Sequence, residues 1–238
     1  MRTVVTDVSV GGETELREQI AMSCRILYRL GLVDYLGHVS ARSPTPGQVL
    51  ISARRSTGVH GLDSMTADNV VAIDFDGDVV QGEEPPVERF IHTEIYRARP
   101  GVRAVVHTHQ PMATLVGIVD LPILPILHIS SPLVERPVPT YPCAKLIVDS
   151  KLGQELAGAL GDHEVCHLQG HGIVSVAPTV PEATILAIML EQLAEANFRA
   201  AQIGRPPRVI PPDEIDHLKR HRAPLIGRWR YYVELVGG

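Results

Sequence analysis

The stretch VVHTHQ at positions 105–110 places His107 and His109 two residues apart at the end of a short β-branched run. Side chains on an extended strand alternate between faces, so residues i and i+2 point the same way. Two imidazoles then converge on one point, a geometry for gripping a metal ion. A third ligand has to come from another segment. His171 in LQGHGIVSV is the leading candidate, because it follows the strand-like VCHL and lies between Gly170 and Gly172, whose missing side chains allow close approach to the backbone. His92 and His167 remain open alternatives for that place. Three histidines would leave one coordination position free, as a catalytic rather than a structural site requires. Glu88, at the start of the helix before His107, offers a carboxylate that a helix–turn–strand unit can fold back beside the imidazoles. As a first-turn helix carboxylate it would equally be explained by the helix dipole.

The elements that must position these groups are legible from period and punctuation. TELREQIAMSCRILYRLG has apolar residues at helical spacing, Thr14 as N-cap and Gly31 as stop. LGHVSARSP and QVLIS predict short strands joined by a Pro/Gly turn, and Asp76-Gly77 between two apolar runs predicts a hairpin. PPVERFIHTEIYRARPG predicts a helix, VRAVVHTH a buried strand, and PMATLVGIV a helix with Pro111 in its first turn. The proline-rich stretch 121–142 is expected to be irregular. DSKLGQELAGALG predicts a helix, EVCHLQGHGIVSVA a strand pair, and PEATILAIMLEQLAEANFRAAQIG the longest helix, closed by Gly204. The tail reads as a polar helix followed by an aromatic cluster, Trp229, Tyr231 and Tyr232. Strands interleaved with helices, with at least one antiparallel hairpin, imply a layered α/β domain spanning 1–238.

Composition narrows the function classes. A net charge of −5 over 238 residues calls for neither a nucleic-acid nor a membrane partner. Cys24, Cys143 and Cys166 lack CxxC spacing and read as reduced thiols. The N-terminus has no signal-peptide pattern, and no apolar run reaches the roughly 18 residues of a spanning helix. The expectation is a cytoplasmic protein acting on a small molecule.

Taken together, GHVSAR, VERFIHTEIYRARPGVRAVVHTHQPMATLVG, QGHGIV and PEATILAIMLEQLAEAN resemble the class II aldolase/adducin family over about residues 14–204. The resemblance implies a three-layer α/β/α fold around a central, mainly antiparallel sheet. It implies a divalent ion held by His107, His109 and His171, with Glu88 as an acid/base able to approach the metal. Zinc suits such ligands best, with manganese, iron or cobalt also admissible. It further implies a homotetramer with active sites at subunit interfaces, where the C-terminal extension 206–238, through Tyr231 and Tyr232, would cover a neighbour's site. The chemistry is that of a carbon–carbon lyase working through a metal-stabilised enediolate. Glu88 would move the proton from a low-dielectric position that raises its pKa.

Departures from the sugar-phosphate members bear on the substrate. Their GNVS is here GHVS, with His38 in place of Asn, and the Ser-Ser pair before the glutamate is here Pro86-Val87. Only Thr57-Gly58 survives as a hydroxyl–glycine pair. The neighbourhood offers Ser40, Arg42, Arg54 and Arg55 instead, and a guanidinium matches a carboxylate bidentately. This pattern resembles the decarboxylase branch, implying a hydroxylated aromatic or heteroaromatic (di)carboxylic acid as substrate and His38 as a second catalytic residue. Aldol cleavage of a small hydroxy-carbonyl or sugar-phosphate compound is the alternative enzyme reading. A non-catalytic adducin-like interaction module is the alternative from outside the enzymes.

Overall fold

The computed structural model describes residues 12–54, 61–221 and 223–237. Its centre is a sheet built from β1 (His38–Arg42), β2 (Gln48–Ser52), β3 (Val70–Asp74), β4 (Val79–Gln81), β5 (Ala104–Thr108), β6 (Thr140–Tyr141), β7 (Val165–Leu168) and β8 (Gly172–Ala177). The strand order is β4-β3-β2-β1-β5-β8-β7-β6. Neighbours run antiparallel except β6 and β7, which are parallel. β6 arises inside the proline-rich stretch expected to be irregular. It is held against β7 by the His167 amide, which donates to Pro139 O, and by the Gln169 amide just past that strand, which donates to Tyr141 O.

Strand alternation divides the core in two. Leu50, Ala104, Val106 and Ile173 face one layer, which holds α1 (Glu13–Arg29), α3 (Pro111–Ile118), α5 (Val180–Ile203) and α7 (Ile226–Leu235). Val49, Ile51, Val105 and Val174 face the other, which holds α2 (Phe90–Ala98) and α4 (Ser150–Leu160). The three-layer α/β/α arrangement is therefore written in the period-two pattern of the central strands. α5 is buried without interruption from Val180 through Leu190 apart from Glu182, because sheet and neighbouring helices cover it on several sides.

Several local expectations need adjustment. Thr14 is the second residue of α1, and the N-cap is Gly12, which has no side chain to donate or accept. Glu88 lies in the turn just before α2 rather than in its first turn, with its carbonyl accepting from the Ile91 amide. The tail aromatics form a further helix, α7, following α6 (Pro212–His221); an i, i+3 pairing of Trp229 and Tyr232 lets both rings enter the α1/α5 core. No helix among the described residues is long and apolar enough to cross a membrane.

The layer that carries Glu88 depends on a close helix crossing. At Gly153 of α4 an added Cβ would come within 2.5 Å of Phe90 O and 2.7 Å of Glu94 Cγ, both on α2. Backbone cannot yield there as a flexible side chain would. Gly153→Ala is expected to destabilise the protein by about 1–3 kcal/mol. A melting temperature at least about 2 °C below that of the unaltered protein would bear this out, and an unchanged one would contradict it.

Candidate metal and active site

The site assembles where β1, β5 and the β7–β8 hairpin end on the same edge. His38 opens β1 directly opposite His107 of β5, and β5 in turn pairs with β8, Thr108 facing Ile173. His109 stands just past the end of β5 beside Gly172. A Cβ at Gly172 would lie 2.2 Å from Thr108 O and 3.0 Å from His109 Cδ2, so only glycine lets the strands close at this point. The turn of the β7–β8 hairpin then delivers His171, its amide bonded to Leu168 O and Gly170 adopting φ 66° before it. Glu88 enters from the α2 side.

One ligand atom from each of Glu88, His107, His109 and His171 falls within 4.8 Å of all the others. The Nε2 atoms of His107 and His109 face each other at 3.0 Å. His171 Nε2 lies 3.4 Å from Glu88 Oε2. Two imidazoles on one tetrahedral zinc ion would stand roughly 3.3 Å apart, given Zn–N bonds of about 2.0–2.1 Å. The tautomer of His107 is settled by its other nitrogen. Ile173 O, 2.9 Å from Nδ1, can only accept, so Nδ1 carries the proton and Nε2 keeps its lone pair for the cluster. His171 leaves a loose end, since its Nδ1 is buried without a partner among the described residues. The donor set fits a divalent cation.

Burial disfavours the charged form of His38, His107 and His109. His107 and His38 are pushed well below the ordinary imidazole range, first by desolvation and then by neighbouring imidazoles. His109 is lowered for the same reasons, with Glu88 and Asp34 opposing. Glu88 runs against expectation. Desolvation does raise it, but the hydrogen bond with His171, the Ile147 amide donating to Oε1 at 2.9 Å, and the nearby His171 and His109 together bring it below the usual carboxylate range. It rests as a carboxylate.

The other residues expected at the site separate into groups. His38 borders a cavity of about 390 Å³ in front of the cluster, as do Glu88, His109 and Arg54. Arg54 pairs with Glu84 at 3.2 Å, both side chains more than half exposed, so the guanidinium remains reachable. Arg55, Thr57 and Gly58 lie outside the described residues. Arg42 is displaced from the expected role. Its guanidinium is engaged by Val102 O and Tyr96 O and stacks on Tyr96 and Phe75, at the far end of β1 from His38. Ser40 is fully buried behind His38 and bonds His92 and Tyr96 instead of facing the cavity. Tyr232 is packed in the core and Tyr231 is exposed; neither borders this chain's own cavity. Of the alternative ligands, His92 lies behind His38, and His167 faces α3, with Gly117 packed against its ring. Tyr96 and the Ile147 amide were not anticipated. Tyr96 was detectable in principle, since Glu88, His92 and Tyr96 recur every four residues.

A family model described as Class II Aldolase and Adducin N-terminal domain matches residues 18–198. The chain belongs to the class II aldolase/adducin family. A 3,4-dihydroxyphthalate decarboxylase from Arthrobacter keyseri is 33% identical over 214 residues, covering 85% of each chain. An L-fuculose phosphate aldolase from Escherichia coli is 30% identical over 202 residues, covering 84% of this chain and 91% of its own. Among solved structures, an aldolase II superfamily protein from Pseudomonas syringae superposes with a TM-score of 0.79 at 26% identity, over 97% of this chain and 95% of that one. Decarboxylases and aldolases are both carbon–carbon lyases, so the expected membership in that enzyme class and the kinship with its decarboxylase branch are borne out.

His109→Ala removes one of four donors on the cluster. The variant is expected to lose the divalent ion that the unaltered protein retains through gel filtration, read by elemental analysis. Full metal content in the variant would remove His109 from the ligand set.

Proposed function

We propose that this class II aldolase/adducin family member is a divalent-metal-dependent decarboxylase of a hydroxylated aromatic carboxylic acid, the class to which the dihydroxyphthalates named in its relatives belong. The observation that carries the reading is the wall of the cavity before the Glu88/His107/His109/His171 cluster. Tyr35, Leu36, Leu62, Met65, Val87 and Leu146 supply apolar surface there, with the Arg54 guanidinium at the rim. Apolar walls with a few convergent polar groups suit a flat ring bearing carboxylates better than a polyhydroxylated phosphate ester. Pro86 and Val87, which stand where the sugar-phosphate members are expected to place hydroxyls, also border the cavity.

When bound, a divalent ion would supply Lewis acidity, acidifying a chelated ring hydroxyl and holding negative charge on oxygen. The chain's own groups do the rest. Glu88, resting as a carboxylate, takes the proton of the hydroxyl adjacent to the departing carboxylate. It then returns that proton to the ring carbon bearing the carboxylate. Cleavage of the bond between that carbon and the carboxylate sends its electron pair back into the ring, restoring aromaticity and releasing carbon dioxide. Arg54 holds a carboxylate at the rim. Three imidazoles and one carboxylate favour zinc, with manganese, iron and cobalt as competitors. The enzyme is read as a cytoplasmic homotetramer in which the exposed Tyr231 meets a neighbouring subunit.

An aldolase reading draws on the fuculose phosphate aldolase relative. Incubating the metal-loaded protein with dihydroxyphthalate isomers, and separately with hydroxy-aldehyde phosphates, distinguishes the two by carbon dioxide or aldehyde released. Carbon dioxide from the aromatic acid is expected; aldehyde alone would reverse the assignment. Glu88→Gln is expected to keep the ion while lowering turnover by about 10²–10⁴-fold. Near-normal turnover in that variant would exclude Glu88 as the proton carrier.

A further inference from the structure

Behind the cavity runs a buried polar column that the reaction scheme has not used. His38 Nδ1 lies 2.6 Å from His92 Nε2, and His92 Nδ1 lies 2.6 Å from Ser40 Oγ. Ser40 Oγ lies 2.8 Å from Tyr96 OH. All four residues are buried, His92 and Ser40 completely. The column joins two elements in register: His38 and Ser40 share one face of β1, while His92 and Tyr96 share one face of α2.

Hydrogen-bond accounting gives the column a direction. A buried hydroxyl must donate somewhere. Among the described residues Ser40 Oγ, 2.8 Å away, is the acceptor within reach of the Tyr96 hydroxyl. Tyr96 thus donates to Ser40. Ser40 then donates its own proton to His92 Nδ1, which leaves the His92 proton on Nε2, donating to His38 Nδ1. With Nδ1 accepting, a neutral His38 carries its proton on Nε2. With Nδ1 turned to His92, Nε2 is the nitrogen His38 has left for the cavity that it borders. The opposite polarity would leave the Tyr96 hydroxyl with no acceptor among the described residues, in a buried place where an unmade hydrogen bond is costly.

We propose that Tyr96, Ser40 and His92 are positioning residues that hold His38 as an Nε2–H donor, so that His38 receives an anionic oxygen of the substrate, a carboxylate or ring oxygenate, instead of acting as a base. The identity of that oxygen rests on the aromatic-acid reading above, whereas the direction of the column does not. The division of labour follows. Glu88 carries the proton, and His38 supplies a fixed dipole whose orientation is set before substrate enters. The column does not work as a proton wire outward from His38, because drawing a proton through it would leave a phenolate at Tyr96, where burial opposes ionisation and pushes the phenol pKa up.

The test reads the tautomer directly. In protein labelled with ¹⁵N at histidine and loaded with zinc, two-bond proton–nitrogen correlation spectra report which ring nitrogen is protonated, with His38 assigned by the signals lost in His38→Gln. The expected pattern is a pyrrole-type Nε2 and a pyridine-type Nδ1 for His38, before any substrate is added. A pyridine-type Nε2 would overturn the proposal whatever the enzyme's substrate proves to be. Tyr96→Phe removes the terminal donor and is expected to bring both His38 nitrogens toward averaged shifts. An unaltered His38 spectrum in a folded Tyr96→Phe protein would overturn the column's direction. Should that variant fail to fold, Ser40→Ala breaks the column one link further in, with the same two outcomes. For the anionic contact, 2-hydroxybenzoate titrated into the zinc protein is expected to shift the His38 Nε2–H resonance. A shift at the other imidazoles but none at His38 would remove His38 from the carboxylate site while leaving the decarboxylase assignment to the carbon dioxide assay.

Discussion

The antiparallel register of β1, β5 and β8 is the constraint on which the site depends. Pairing His38 with His107, and Thr108 with Ile173, sends His38 and His107 to the α2 face of the sheet and aims the Ile173 carbonyl at His107 Nδ1. Because side chains alternate with a period of two, a slip of one residue would send His107 into the α5 layer and bring Val106 to the site. The apolar neighbours resist that slip. Val105 and Val106 are committed to opposite cores, so the register that buries them is the one that gathers the imidazoles.

Gathering so many imidazoles in a buried region is tolerable because none of them needs to be charged. Desolvation and mutual repulsion keep His38, His92 and His107 neutral, and each finds a hydrogen-bond partner: a carbonyl for His107, another imidazole for His38, an imidazole and a hydroxyl for His92. The negative charge in the group, Glu88, is held by an amide and by His171. An isolated buried carboxylate would be expensive, whereas one bonded to a backbone N–H and facing a cluster built to receive a cation is stabilised by the same arrangement that makes it useful. The exposed side of the cluster then meets a largely apolar cavity, where electrostatic interactions with a substrate are stronger than in bulk water.

Membership in the class II aldolase/adducin family accounts for the scaffold, and the proposed substrate preference rests on differences within it. A histidine at position 38 supported by a buried column, and a proline–valine pair before Glu88, change what the cavity offers without altering the four donors. Arginine shows how such substitution can mislead. Arg42 and Arg54 flank the same pair of strands, yet Arg42 is held by carbonyls and aromatic faces near the C-terminal end of α2, and only Arg54 borders the cavity. Charge in a sequence marks a capacity to bind anions; which guanidinium is free depends on where the strand points it.

By itself the sequence determined the local elements and singled out the candidate ligands. Period-two runs, Asp76-Gly77 and the closing glycines set the strands, hairpins and helix ends, because those signals act over a few residues. The HxH pair, the HG turn and Glu88 were legible for the same reason, each being a short pattern with its own geometry, and the family resemblance joined them. What tertiary structure alone decided was the outcome of competition among like residues. His92 and His167 carry the same imidazole as His171, but α2 places one behind His38 and strand alternation turns the other toward α3. The net lowering of Glu88, the retirement of Arg42 and Ser40 from the substrate surface, the core packing of Tyr232 and the direction of the Tyr96–Ser40–His92–His38 column all come from contacts between segments distant in the chain. No local pattern encodes those contacts, because each depends on which face of one element meets which face of another.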